Sequence, residues 1–500
     1  MPFSLPAPHP RRQRRARRTL LTAAVVCTPG FVCTLPSQAH EARIHRVEQN
    51  LLPELVVRGP GPAPARDLAT RMRHYRVPGV SVAVIDSGRV VWARGYGTTG
   101  APGAAAVTPE TRFQAGSISK PVAAFTAMRL VDAGVLALDE DVGARLRSWR
   151  LPEGSQTVAE RVTLRRLLSH SAGVSVHGFD GYAPGSAIPS LAQVLDGVAP
   201  ANSPPLRVTG VPGREMRYSG GGYTIAQLLV EEAAGRPFAR VAQDLVLDPL
   251  GMSGSGYAVP DPGTMALGHD SAGSPVPGGF HVYPELAAAG LWSTPGDLAR
   301  FVLGLQEAAR GAAPARLSAA AAGEMLRPQS GEAGLGVFLT GTHPPLRFSH
   351  TGSTAGYTAI MIGYLDTGRG VVAMANADDA NALLMEIIRG VAAEYGWPDL
   401  RPVAFDLASV DTAVLARYQG RYLPAQGPGY EVFLREGQLF LAPEGRSPQP
   451  LLPASATRFF IDLPTPPEVT FQVAASGVPE RLVVRRGTRE VAAVRVPPTP

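Results

Sequence analysis

The chain has 500 residues, of which 45% are hydrophobic and 18% are charged, so it is long enough for two or three domains with their own cores. Its 55 glycines and 48 prolines follow no repeat, which excludes a collagen-like chain and indicates many turns between short elements. The formal net charge of +6 would suggest a nucleic-acid or anionic-membrane ligand, but six arginines between residues 11 and 18 account for the whole excess. The rest of the chain is close to neutral, which argues against both ligands.

The arginine-rich segment opens a predicted secretory signal over residues 1–39. An apolar run from Leu20 to Val26 follows the arginines, and Ser37-Gln38-Ala39 provides the small-residue pattern of a cleavage site. The pair Arg17-Arg18 also fits a twin-arginine signal, so the general and the twin-arginine export routes are both left open. Because the apolar run is too short to span a bilayer, we expect a periplasmic or extracellular protein with no stable membrane span after cleavage.

Both cysteines of the chain, Cys27 and Cys33, lie within this removable segment. The exported chain would therefore contain no thiol, which excludes disulfides, thiolate metal sites and thiol nucleophiles. We expect neither a metal nor a cofactor.

The first clear element after the signal is a β-hairpin. Val80 to Ile85 and Arg89 to Arg94 are strand-like runs that flank a turn at Asp86-Ser87-Gly88. We expect this hairpin to begin an antiparallel sheet that Val337 to Leu339 and three strands between Phe348 and Asn376 complete, with turns at Gly352 to Gly356 and at Asp366 to Gly370. Since a helical region separates these parts, the order predicts an α+β fold, an antiparallel sheet flanked by helices.

Lys120 is the only lysine among the 47 basic residues of the chain. Arginine does not lose its proton in proteins, whereas a desolvated lysine can become a neutral base. A chain that otherwise uses arginine keeps this one lysine at a position where the two side chains would differ chemically. Lys120 is therefore a candidate catalytic base.

Ser117 lies three residues before Lys120, at the start of a predicted helix that runs to about Ala133 and stops at Gly134. Residues three apart on a helix share a face, with Cβ atoms about 5–6 Å apart, so the amine can hydrogen-bond the hydroxyl. A serine beside a base is a candidate nucleophile, and the unpaired N–H groups of the helix start would favour developing negative charge. The alternative is an ordinary capping serine followed by a surface lysine.

The C-terminal part of the chain changes character near residue 400. Asp379 to Tyr395 predicts a closing helix, and Pro398 and Pro402 mark a linker. Short alternating runs with regular turn signals then predict a small antiparallel barrel or sandwich that carries no catalytic constellation. We therefore expect a signal peptide (1–39), a first domain (40–397), a linker (398–404) and a C-terminal β-barrel-like domain (405–500).

Three motifs in the first domain resemble those of the serine β-lactamase and penicillin-binding-protein family, specifically its class C-like group of esterases and D-peptidases. They are Ser117-x-x-Lys120, Tyr218-Ser219-Gly220 and His350-Thr351-Gly352, in the family's order. The resemblance implies that Ser117 is acylated, that Lys120 helps to remove its proton with Tyr218 as the second basic group, and that the backbone N–H groups of Ser117 and Ser353 hold the oxyanion. It also implies substrate contacts for four residues of the later motifs: Gly220, His350, Thr351 and Gly352. The C-terminal domain resembles the lipocalin-like module often appended to such hydrolases.

Two positions depart from the family pattern, since Gly220 stands where Asn is expected and His350 where Lys is expected. The resemblance implies a serine hydrolase that acts on an ester, an amide or a D-residue-containing peptide, with cell-wall fragments among the candidate substrates, and the predicted signal implies that it is exported. The two departures favour esters and D-amino-acid amides over β-lactams, and His350 would favour carboxylate-bearing substrates below pH 7 as it becomes charged. A β-lactamase and a non-catalytic receptor for cell-wall fragments or β-lactams are the alternatives. His170 is interpreted as a structural loop histidine.

Overall fold

The computed structural model describes residues 38–58, 66–100, 103–312, 316–341, 344, 346–463, 466–487 and 489–497. The predicted signal segment lies outside these residues, apart from Gln38 and Ala39 at the start of the first helix. In the described part of the chain, no helix is both long enough and apolar enough to cross a bilayer.

The described residues form fourteen α-helices and nineteen β-strands. The helices are α1 (Gln38–Gln49), α2 (Leu68–His74), α3 (Ser119–Asp132), α4 (Val142–Arg145), α5 (Ser155–Ala159), α6 (Leu164–Leu168), α7 (Leu191–Asp196), α8 (Gly220–Ala234), α9 (Phe238–Ala242), α10 (Leu286–Ala289), α11 (Pro295–Ala309), α12 (Ala319–Met325), α13 (Asn381–Glu394) and α14 (Thr412–Arg417). The strands are β1 (Leu55–Arg58), β2 (Gly79–Asp86), β3 (Arg89–Gly97), β4 (Phe113–Gln114), β5 (Trp292–Ser293), β6 (Phe338–Thr340), β7 (Arg347–Thr354), β8 (Tyr357–Tyr364), β9 (Gly370–Ala375), β10 (Val403–Asp406), β11 (Gly420–Pro424), β12 (Tyr430–Arg435), β13 (Gln438–Pro443), β14 (Gln449–Pro450), β15 (Leu452–Pro453), β16 (Arg458–Phe460), β17 (Glu468–Val473), β18 (Pro479–Arg486) and β19 (Arg489–Arg495).

Six antiparallel strands form the central sheet, in the order β3-β2-β9-β8-β7-β6. The predicted hairpin is present as β2 and β3, and its turn residues Ser87 and Gly88 have φ values of 53° and 72°, the left-handed backbone that a two-residue hairpin turn favours. The later strands join this hairpin through β9, so both ends of the domain contribute to one sheet. The α+β prediction is confirmed.

The central sheet lies between two hydrophobic cores. Side chains of β2 alternate between them, since Val82 and Val84 face the core that contains α13 whereas Ala83 and Ile85 face the core that contains α3, α8 and α11. This alternation explains why β2 is buried along almost its whole length. The helical region between β3 and β6 therefore covers the face of the sheet opposite α13.

Strand β7 is three residues longer than the sequence predicts. The glycine cluster indicated a turn from Gly352 to Gly356, but Gly352, Ser353 and Thr354 continue the strand and only Ala355 and Gly356 form the turn. A Cβ atom on Gly352 would lie 1.9 Å from the carbonyl oxygen of Ala115. Glycine is needed here because β7 approaches the chain just before Ser117, not because the chain turns.

The C-terminal residues form a nine-stranded antiparallel sheet in the order β14-β13-β12-β11-β19-β18-β17-β16-β15. Its two outer strands, β14 and β15, are separated in the chain only by Leu451, so the sheet is nearly closed into a barrel. Aromatic side chains fill the interior, where the rings of Tyr418 and Phe471 stack with centroids 4.1 Å apart. The predicted β-barrel-like arrangement is confirmed.

The segment before the barrel is bound to the first domain. Strand β10 begins inside the predicted linker and pairs in parallel with β1, and the ring of Phe405 stacks on Phe460 with centroids 4.8 Å apart. Next to β1, Arg389 of α13 donates to Glu54 at 2.6 Å. The junction with the barrel therefore lies on the α13 side of the sheet, on the face opposite α3.

Candidate active site

Ser117 and Lys120 meet at the start of α3, as the three-residue spacing predicts. Ser117 lies in a single 3-10 turn, Gly116–Ile118, that leads directly into α3. The Lys120 Nζ donates to Ser117 Oγ at 2.9 Å and to the carbonyl oxygen of Ala288 at 2.8 Å. Ser117 is half-buried, whereas Lys120 is only 2% exposed, so the hydroxyl is open to a substrate and the amine is shielded.

The environment of Lys120 favours a neutral amine. Burial lowers the pKa of Lys120 from its usual value of 10.5 to about 7. An ammonium buried without a carboxylate partner is costly, and losing the proton removes that cost. Lys120 can therefore accept a proton near neutral pH.

Tyr218 also lies next to Lys120, whose Nζ is 5.0 Å from the centre of the Tyr218 ring. Ser219 caps α8 by accepting a hydrogen bond from the Gly222 N–H at 2.9 Å, and this cap fixes the chain directly after Tyr218. Burial raises the pKa of Tyr218 to about 12, and an interaction with the Ser117 hydroxyl lowers it by less. The expectation that Tyr218 is a base with a pKa near neutrality is therefore wrong, because burial outweighs the other influences on the phenol. The phenol is suited to donate a proton and Lys120 to accept one.

Strand β7 brings the third motif alongside Ser117. Thr354 and Tyr357 close the two-residue hairpin as a hydrogen-bonded pair, so the N–H of Ser353 points away from β8. A Cβ atom on Gly116 would lie 2.6 Å from the Ser353 nitrogen, and one on Gly352 would lie 3.3 Å from the Ser117 nitrogen. The two backbone nitrogens predicted to hold an oxyanion thus lie on adjoining segments, and the side chains of Thr351 and Ser353 are exposed beside them.

His350 differs from its predicted behaviour. Its ring is buried, Nδ1 contacts the Thr351 carbonyl oxygen at 2.6 Å, and burial together with Lys120 lowers the pKa of His350 to about 3. The prediction that it becomes charged just below pH 7 and attracts carboxylates is therefore wrong. The sequence placed His350 on a strand but did not show that the side chain points into the interior.

Gly220 is packed so closely that the asparagine of the family pattern would have to displace its neighbours. A Cβ atom there would lie 3.0 Å from Cε2 of Phe179 and 3.2 Å from the carbonyl oxygen of His177. The Gly220 N–H donates to that same carbonyl oxygen at 3.0 Å, so the loop that carries Phe179 is held against the second motif. Sequence reasoning missed Phe179, because nothing in the local pattern shows that this loop meets Gly220.

Glu285 is another buried ionisable group that the sequence did not indicate. It directly precedes α10, the helix whose Ala288 carbonyl accepts from Lys120. Both carboxylate oxygens are buried with no hydrogen-bond partner among the described residues, and burial raises the pKa of Glu285 to about 7. No group of three or more His, Cys, Asp or Glu side chains suited to a metal ion occurs within the described ranges.

Comparisons with known proteins give the same architecture. The family described as Beta-lactamase matches residues 65–393. Esterase EstB of Burkholderia gladioli is 30% identical over 216 residues, which cover 41% of this chain and 54% of that protein. Penicillin-binding protein 4 of Amycolatopsis lactamdurans is 32% identical over 190 residues, 37% of this chain and 45% of that protein, so the chain spans about half the length of each of these relatives. The solved octameric penicillin-binding protein homologue from Pyrococcus abyssi has the same fold, with a TM-score of 0.58 at 21% identity over 85% of this chain and 98% of that one.

Proposed function

Because the chain belongs to the Beta-lactamase family of serine hydrolases, we propose that it hydrolyses an ester, an amide or a D-residue-containing peptide through an acyl-enzyme at Ser117. The observation that carries this proposal is the buried Lys120 amine, 2.9 Å from the Ser117 hydroxyl and with a pKa of about 7. At pH 7 a substantial fraction of the molecules holds a neutral base next to the nucleophile.

In acylation, neutral Lys120 accepts the Ser117 proton while Oγ attacks the substrate carbonyl carbon. The carbonyl oxygen becomes an oxyanion that accepts hydrogen bonds from the N–H groups of Ser117 and Ser353. The protonated phenol of Tyr218 gives its proton to the departing alcohol or amine and regains one from Lys120. Water then attacks the acyl-enzyme with the same groups returning the protons, and the acid leaves.

The proposal is tested by intact mass measured over time with p-nitrophenyl butyrate. We expect a butyryl adduct that forms on Ser117 and then disappears as p-nitrophenol continues to accumulate. A stable adduct without turnover would indicate the receptor alternative. No adduct with this or other acylating probes would contradict the acyl-enzyme.

The surroundings of Gly220 and His350 support a preference for esters and amides over β-lactams. A β-lactam presents a carboxylate and an acylamide, whereas His350 is buried and neutral and Phe179 occupies the space next to Gly220. Each missing hydrogen bond to such a group lowers transition-state binding by about 1–3 kcal/mol, or roughly 10- to 100-fold in rate. Phe179 is half-buried, so a substrate would meet its apolar ring where the family pattern provides the amide of an asparagine.

We accordingly expect short activated esters to be hydrolysed with a kcat/KM roughly 100-fold or more above that of a chromogenic cephalosporin. The two substrates are compared by initial rates on the same enzyme sample. Gly220→Asn alone should not raise cephalosporin turnover, because the new side chain meets Phe179, whereas Gly220→Asn combined with Phe179→Ala provides the space. Efficient cephalosporin hydrolysis without esterase or amidase activity would reverse this order.

The pH dependence should report the proton on Lys120. Its pKa of about 7 lies below the usual value, so the amine is charged and inactive below pH 7 and neutral above it. For an uncharged ester, kcat/KM should therefore rise about tenfold per pH unit below pH 7 and become level above it. Initial rates from pH 5 to 9 measure this profile, and circular dichroism checks that the fold is intact throughout.

Glu285→Gln is the matched control for this profile, because the pKa of Glu285 is also about 7. The variant should keep the acid limb of the profile. Loss of the limb in Glu285→Gln would assign it to the carboxyl group instead of Lys120. The buried histidines His170 and His350 cannot produce a limb near 7, since burial lowers the pKa of each well below that value.

We also propose that residues 1–39 direct export, that residues 40–397 form the hydrolase domain and that residues 405–500 form a lipocalin-like module. Support for a non-catalytic role of that module comes from its junction on the α13 side of the sheet, on the face opposite α3. We therefore assign it to packing or dimerisation.

A further inference from the structure

His170 contacts Tyr218 in a way that the proposed mechanism does not yet use. It follows α6, is 4% exposed, and its ring lies against the Tyr218 ring with centroids 4.2 Å apart and planes inclined by 31°. The other rings within reach of Tyr218 are farther away, including those of Phe338 and His350 at 6.2 Å. Of these rings, that of His170 therefore makes the closest contact with the phenol of Tyr218.

His170 also binds both neighbours of Tyr218 in the chain. Its Nδ1 accepts a hydrogen bond from the Ser219 N–H at 3.1 Å, and its carbonyl oxygen accepts one from the Arg217 N–H at 2.7 Å. One residue thus holds the backbone before Tyr218, the ring of Tyr218 and the backbone after it. A loop histidine that only filled space would not need all three contacts.

The backbone and charge of His170 fit this arrangement. Its φ is +58°, a left-handed conformation that most side chains avoid and that Asn and His tolerate better than most residues. Burial, Lys120, His350 and His177 lower the pKa of His170 well below its usual value, so the imidazole stays neutral. Because Nδ1 accepts from Ser219, the single ring proton belongs on Nε2.

We propose that His170 is a positioning residue that holds the phenol of Tyr218 towards Ser117 and Lys120. The proposal rests on the proposed function, since it concerns the proton step assigned to Tyr218. The groups that face His170 are drawn from several elements: Lys120 of α3, Tyr218 and Tyr223 at α8, Phe338 of β6, His350 of β7 and the loop residue His177. Without the imidazole, the segment before α8 would lose the side-chain acceptor and the ring that define the orientation of Tyr218.

The test is a double-mutant cycle in the full chain, with hydrolysis of ethyl butyrate followed by acid release as the readout, because ethanol is a poor leaving group that needs a proton. We expect His170→Ala to lower kcat about 10²-fold with KM changed less than about threefold, because a displaced catalytic group costs rate more than binding. His170→Asn should recover about tenfold of that loss, since Asn tolerates the left-handed backbone and has a carbonyl acceptor. In a Tyr218→Phe background, His170→Ala should lower the residual rate by less than about threefold.

Two measurements separate positioning from a general loss of stability. His269 is another buried histidine, whose ring nitrogens contact the carbonyl oxygens of Asn376 and Gly100, both at 3.1 Å. His269→Ala should lower the melting temperature and leave kcat of the folded protein unchanged. His170→Asn should also keep the acid limb of the pH profile near 7, because that limb belongs to Lys120.

Equal losses from His170→Ala in the wild-type and Tyr218→Phe backgrounds would overturn the positioning role, as would near-wild-type kcat in His170→Ala. If His170→Ala does not fold, the same cycle is measured with His170→Asn. Equal losses from His170→Asn in the wild-type and Tyr218→Phe backgrounds would also overturn the positioning role. These outcomes differ from failure of the proposed function, in which wild-type protein forms no adduct at Ser117.

Discussion

Lys120→Arg is expected to lower the rate of Ser117 acylation by about 10³-fold or more, nearly as much as Ser117→Ala. The substitution keeps a long cationic side chain but replaces an amine that can be neutral with a guanidinium that stays charged. The structure adds that this position is almost fully buried and that the amine already donates to Ser117 and Ala288. The rate of adduct formation by intact mass measures the effect.

A matched pair of variants separates chemistry from folding at this position. Lys120→Met keeps a similar volume without burying a charge, so it should fold and lose as much activity as Lys120→Arg. Residues 40–500 contain no cysteine, so a Lys120→Cys chain can be alkylated at one place with bromoethylamine while unfolded and then refolded. This treatment restores a side-chain amine and should restore acylation. Near-wild-type turnover by Lys120→Arg would remove the lysine from the mechanism.

Tyr218→Phe is expected to lower kcat by about 10²- to 10³-fold while the melting temperature changes little. The variant deletes one hydroxyl and keeps the ring that contacts His170 and lies 5.0 Å from the Lys120 amine. Since the pKa of the phenol is about 12, the group lost is a proton donor to the leaving group. The loss should therefore shrink for esters with a very acidic leaving alcohol, which departs without a proton.

Tyr257→Phe is the control for Tyr218→Phe, because the Tyr257 hydroxyl is also buried but has no hydrogen-bond partner among the described residues. Its removal should leave kcat within about twofold, the range of surface and neutral substitutions. A Tyr218→Phe enzyme that loses the same factor with poor and good leaving groups would show that the phenol does not protonate the leaving group.

The contact between Ser117 and Lys120 could be predicted because its geometry is local. A helix start fixes the distance between residues three apart, so Ser117 and Lys120 had to meet once α3 formed. The hairpin β2–β3 was predictable for the same reason, since its turn residues adopt left-handed backbone whatever surrounds them.

The remaining features depend on contacts between distant parts of the chain. Gly352 was interpreted as a turn residue because the sequence cannot show that Ala115 lies against it. The charge of His350 was misjudged because burial, which the sequence does not give, sets its pKa. The role of His170 was hidden in the same way, because its three contacts lie 47 to 49 residues further along the chain, at residues 217–219.

The burial of Lys120 has a practical consequence for handling the protein. It is the only side-chain amine in the 500 residues, and in the folded chain only 2% of it is exposed. Succinimidyl esters and glutaraldehyde, the usual cross-linkers and immobilisation reagents, therefore find no lysine on the surface through which to join two copies or attach one to a support. Conversely, slow acetylation of this single side-chain amine would count active sites, because an amide nitrogen no longer accepts a proton and each chain acetylated at residue 120 loses the proposed base.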